Sequence, residues 1–131
     1  MTVGQLPQNG FELMEGRYVK GIANGRNFGY QYAITAAGTN QATAAALPGD
    51  TMLVEVDTAA SGTGVYLPFA IAGTEIHLYN NGANTVTVYP NVNNNPLTSA
   101  QDTINNTTDI TVTTHTAEIF FCAKNGVWAA K

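Results

Sequence analysis

The stretch Thr74-Glu75-Ile76-His77-Leu78-Tyr79-Asn80-Asn81-Gly82-Ala83-Asn84-Thr85-Val86-Thr87-Val88-Tyr89-Pro90 decides the fold class. Its first part alternates, with Ile76 and Leu78 on one face and His77 and Tyr79 on the other, the period of a half-buried strand. Val86 and Val88 repeat that pattern after the break. Asn-Gly between alternating runs predicts a hairpin over residues 80–84. Pro90 closes the second run, because proline has no N–H to give to a ladder.

Working outward, the same grammar recurs. Met52, Val54 and Val56 share a face, with Glu55 and Asp57 opposite. A turn-rich break over 58–64 leads into Val65-Tyr66-Leu67, which Pro68 stops. Asn91 to Pro96 reads as a polar loop, and Ile104 anchors a brief strand. Ile110 and Val112 alternate with threonines, and the dense apolar run 117–123 has the composition of a central strand. Lys124-Asn125-Gly126 predicts a second hairpin, with Val127-Trp128-Ala129 returning. Six to eight short strands at regular spacing predict an all-β fold, a small antiparallel sandwich, jelly roll or barrel. No helix longer than a turn or two is expected; the best candidate, residues 39–47, runs into Pro48 and Gly49.

The N-terminal part differs. Residues 1–35 hold Phe11, Tyr18, Phe28, Tyr30 and Tyr32, punctuated by glycines at 4, 10, 16, 21, 25 and 29. Each glycine costs backbone entropy on ordering, so this segment is expected to gain order by packing on another surface. The expected organisation is a docking arm over 1–35 and a β-domain over 36–131, with 36–51 as linker or loop.

The chain has 131 residues, enough for one domain with a real core. Only 11% of them are charged, against about 25% in ordinary globular proteins. Threonine and asparagine take the place of charge, and both suit strands and turns. Arg17, Lys20 and Arg26 lie near the N-terminus, and no Lys or Arg occurs from 27 to 123, where seven carboxylates fall. An acidic body argues against nucleic-acid binding, which needs clustered cations. No window reaches the length of a membrane-spanning helix, and no apolar leader precedes the body.

Residues suited to chemistry are few. Ser61 and Ser99, the only serines, sit in turn-like sequence without a nucleophile elbow. His77 and His115 are expected on polar strand faces. Neither carboxylate nor cysteine spacing completes a metal site, so no cofactor or metal is expected. Glu55 and Asp57 read as a solvated strand face, since acid/base pairs need environments that separate two pKa values. Cys122, the sole cysteine, lies in an apolar run and is expected to be buried and inert. Asn105 and Asn106 each begin a glycosylation-type triplet, which chance explains in a chain this rich in Asn and Thr. Exposed tyrosines and Trp128 could stack on sugars.

The segments 60–68, 72–73, 76–90, 102–105 and 117–128, above all Asn80-Asn81-Gly82-Ala83-Asn84 followed by Val88-Tyr89-Pro90, resemble a β-module of tailed-phage virion proteins, found in capsid decoration proteins, head fibres and tail-associated proteins. The resemblance covers roughly residues 40–130. It implies a non-enzymatic structural protein on the virion surface that binds the major capsid protein, with a homotrimer as the assembly known for cement proteins. Phe11, Arg17, Tyr18, Lys20, Arg26, Phe28, Tyr30 and Tyr32 are then the expected capsid or oligomer contacts. A receptor- or glycan-binding tip domain is the second reading, and a glycan-cleaving enzyme the third.

Overall fold

A computed structural model of the chain describes residues 30–49 and 53–131. These residues form an all-β body whose two main sheets are mixed, not antiparallel. Three strand pairs build its first half. β1 (Tyr30–Thr35), β3 (Leu53–Thr58) and β5 (Glu75–Asn80) lie side by side and parallel in a six-stranded sheet. β2 (Ala45–Ala46), β4 (Gly64–Tyr66) and β6 (Val86–Tyr89) lie side by side and parallel in a four-stranded sheet. Each coil of chain therefore runs along one sheet, turns a corner and returns along the other. Paired residues such as Val54 and Leu78, or Val65 and Val88, belong to successive coils. The result is a three-rung, solenoid-like stack.

The second half closes the stack by reversing direction. β10 (Ile110–Val112) pairs antiparallel with β6, and β11 (Thr116–Lys124) pairs antiparallel with β5. β11 turns through Asn125-Gly126 into β12 (Val127–Ala130), as the sequence predicts, and β9 (Thr103–Ile104) adds parallel to β12 at the sheet edge. Of the two turn residues only Gly126 is left-handed, at φ 92°. A two-stranded ribbon, β7 (Asn94–Asn95) with β8 (Ala100–Gln101), stands apart.

The predicted hairpin at 80–84 does not form. β5 and β6 lie in different sheets, and Asn80-Asn81-Gly82-Ala83-Asn84 is the corner between them. The residue types that favour a hairpin turn serve here by side-chain bonding. Asn80 is fully buried; its Nδ2 donates to the Asn84 and Val112 carbonyls at 2.9 Å each, and its Oδ1 accepts from Gly82 N–H at 2.9 Å. Asn84 Nδ2 donates to the Ala59 carbonyl of the preceding corner, and Thr114 Oγ1 bonds the Gly82 carbonyl. One buried amide, with a second amide and a hydroxyl beside it, thus satisfies the backbone of the corner.

The inward faces match the sequence reading. Val54, Val56, Ile76, Leu78, Phe120, Cys122 and Trp128 from the six-stranded sheet meet Val65, Val86, Val88 and Val112 from the four-stranded sheet in one core. Each buried aliphatic side chain contributes about 1.5–3 kcal/mol. The small sheet packs tightly: a Cβ at Gly64 would sit 2.6 Å from the Thr87 carbonyl oxygen of the next rung, so only glycine lets these backbones approach. Residues 36–51, expected as linker, hold one 3-10 turn (Gln41–Thr43) and β2 in their described part. The 3-10 turn is all that remains of the candidate helix. Tyr30–Thr35, grouped by composition with the arm, is a strand of the body.

Candidate binding face

The outward face of the six-stranded sheet gathers most of the apolar side chains left in solvent. Six large hydrophobic residues are exposed among the described residues, and Tyr30, Tyr79, Ile119 and Phe121 are on this face; Ile71 and Leu97 sit in loops. Register explains the gathering. Tyr30, Leu53, His77 and Ile119 form one row across β1, β3, β5 and β11. Glu55, Tyr79 and Ala117 form the next row, and Glu75, Phe121 and Ala129 a third. Between the first two rows is an open hollow of about 410 Å³, lined by Tyr30, Leu53, Glu55, His77, Tyr79 and Ile119 among others. Its walls are mostly apolar carbon, as binding surfaces are, with a few polar groups at fixed places.

Those polar groups are acidic or neutral. Glu55 Oε2 accepts from Asn81 Nδ2 at 3.0 Å, and His77 Nε2 meets Glu75 Oε2 at 2.5 Å. The lining contains no Lys or Arg. The arrangement can hold a ligand or a polypeptide by apolar contact and select for positive charge at its rim. No nucleophile stands beside a base here. Ser61 lies in the corner between β3 and β4, and Ser99 in the β7–β8 loop. Among the described residues no three His, Cys, Asp or Glu side chains gather into a metal-holding group.

Away from this face, the buried polar groups serve structure. Asp102 Oδ2 accepts from Ala70 N–H at 2.7 Å and Oδ1 from Asn95 Nδ2 at 2.9 Å, tying the loop after β4 to the ribbon. Trp128 is fully buried, and its Nε1–H donates to the Pro68 carbonyl at 3.3 Å, so it is not available to stack on a sugar. Cys122 is buried, and burial pushes its thiol up from its ordinary value. His115 is exposed in the turn before β11.

Of the expected contact residues, Phe11, Arg17, Tyr18, Lys20, Arg26 and Phe28 lie outside the described residues. Tyr30 lines the hollow. Tyr32 falls in β1, whose pairing with β3 slips between Gln31 and Ile34, beside Ala33 at φ 60°. That bulge lets Tyr30 stand outward while Ile34, four residues on in the same strand, packs against the core. Sequence reasoning placed His77 and Tyr79 outward but had no means of joining them to Leu53 and Ile119, since that row depends on parallel pairing. No protein family, curated protein or solved structure matches the chain significantly.

Proposed function

We propose that this protein is a non-enzymatic structural component of a tailed-phage virion surface, a capsid decoration protein that attaches to the major capsid protein lattice, working as a homotrimer. The observation that carries the reading is the apolar face of the six-stranded sheet, which adjoins the point where the aromatic, basic residues 1–29 enter the body. Segment and face together supply aromatic anchors and arginines, the residue types that most often dominate interface energies. Arg17, Lys20 and Arg26 steer the subunit to an acidic lattice. The low surface charge and the Thr- and Asn-rich exterior support close packing of like subunits without mutual repulsion.

The test is decoration of capsids stripped of the protein, followed by co-sedimentation. The full chain binds at saturating occupancy, and a chain lacking residues 1–29, checked for cooperative unfolding, does not. Full occupancy by the shortened chain would end the attachment role. A receptor- or glycan-binding tip is favoured by one feature, the two exposed tyrosines of the hollow, Tyr30 and Tyr79. Glycan binding lost on Tyr79→Ala, with capsid binding absent in the full chain, would select that reading.

A further inference from the structure

We infer that the Asn81-Gly82 linkage is a latent deamidation site, guarded by the Asn80 side chain and opened only when the corner between β5 and β6 comes apart. The inference is independent of the virion reading, since it concerns one corner of the body. Glycine is required here: a Cβ at Gly82 would lie 2.8 Å from the Ala59 Cβ and 2.9 Å from the Ala59 nitrogen. The same glycine leaves the preceding asparagine labile, because a glycine nitrogen has no side chain beside it to hinder attack. In the reaction the Gly82 nitrogen attacks Asn81 Cγ. The N–Cγ bond forms, the Cγ–Nδ2 bond breaks, and Nδ2 leaves as ammonia with the proton from Gly82 N–H. Water then opens the succinimide to aspartate or isoaspartate.

Three hydrogen bonds restrain the reacting groups. Gly82 is buried, and its N–H is committed to Asn80 Oδ1 at 2.9 Å. Asn81 N–H donates to the Val56 carbonyl at 2.8 Å, and Asn81 Nδ2 donates to Glu55 Oε2 at 3.0 Å, so the side chain is turned toward β3. Attack therefore waits for a local opening, and its rate follows the open fraction. Asn125-Gly126, the second such pair among the described residues, is guarded differently. Gly126 N–H donates to the Ala70 carbonyl at 2.9 Å, and Asn125 Oδ1 accepts from Ala72 N–H at 2.8 Å. A guard made of backbone is untouched by a substitution at 80, so Asn125 serves as an internal reference. Refolding does not undo the change at 81. The product carboxylate faces Glu55, a like charge, and isoaspartate lengthens the main chain where Gly82 already meets Ala59. A copy that has opened and reacted keeps a permanent mark.

Peptide mapping of the full chain, aged at neutral pH, tests the inference, with mass spectrometry reading Asn81 and Asn125 in the same digest. In the native chain both are lost at least about tenfold more slowly than in urea; native loss of Asn81 at the urea rate would overturn the inference. Asn80→Ala removes the guard, and the loss of one hydrogen bond raises the open fraction about fivefold. The ratio of Asn81 to Asn125 deamidation is expected to rise by about that factor. General destabilisation would speed both sites together, so an unchanged ratio would refute the guard. Asn80→Asp keeps the acceptor for Gly82 N–H while costing more stability, and its ratio stays near that of the original chain; a ratio as high as in Asn80→Ala would also refute it. Hydrogen exchange on the original chain covers variants that fail to fold: Gly82 N–H is slowed at least about tenfold by the native structure, and exchange at the unfolded rate would overturn the inference.

Discussion

Replacing Asn80 with alanine tests the corner that separates the two sheets. Its side chain makes three hydrogen bonds in a fully buried site, two from Nδ2 to the Asn84 and Val112 carbonyls and one to Oδ1 from Gly82 N–H. At about 1 kcal/mol each, their loss removes about 3 kcal/mol, and the buried groups left unpaired add to that. The expected destabilisation of Asn80→Ala is about 3–4 kcal/mol. For a domain of this size that lowers Tm by roughly 10–15 °C. Asn80→Asp keeps the acceptor for Gly82 but turns a carboxylate toward two carbonyls, so it costs more than alanine at neutral pH. Its loss shrinks as pH falls through the carboxylate range, because protonation returns one donor and removes the buried charge. Urea titrations of the full chain, followed by tryptophan fluorescence and circular dichroism, measure all three. An Asn80→Ala chain within 1 kcal/mol of the original, or an Asn80→Asp chain as stable as Asn80→Ala at pH 7, would refute the role given to this amide.

Three further outcomes are expected. Trp128→Ala, which empties the largest buried side chain, costs about 3–5 kcal/mol in urea unfolding. Gly64→Ala forces a Cβ against the Thr87 carbonyl and the Tyr89 ring and costs about 1–3 kcal/mol, visible as a lowered Tm; a neutral result would contradict the close approach of the second and third rungs. Cys122 reacts slowly with a thiol reagent at pH 8 in the native protein and rapidly in urea, since burial both shields the sulfur and raises its pKa, leaving little of the reactive thiolate; native labelling as fast as in urea would contradict that burial.

Strand existence and facing were legible because period two fixes which side chains go inward, whatever the neighbouring strand. Ile76, Leu78, Val86, Val88 and Val112 were placed correctly on that ground alone. Strand direction was not legible from period two, which is the same in parallel and antiparallel sheets. Asn-Gly at 81–82 pointed to the commoner solution, a hairpin. A signal for the true one was present. Ala45-Ala46-Leu47-Pro48, Val65-Tyr66-Leu67-Pro68 and Val88-Tyr89-Pro90 repeat at intervals of 20–23 residues, and Ala45, Val65 and Val88 are neighbours across the sheet. A search for internal spacing finds coils where a search for turns finds hairpins. The hollow was beyond either method, because Tyr30, Leu53, His77 and Ile119 meet only once the first three strands run the same way and the fourth runs back.

The reversal at β10 and β11 ends the run of parallel coils, since those strands run against β6 and β5. Growth by duplication is therefore confined to the coils before it. Copying one strand-corner-strand unit of just over twenty residues into the segment between β2 and β3 would lengthen the body by one strand spacing, about 4.8 Å, and leave the reversal untouched. Size in this architecture is a quantity that changes in whole coils, from one side.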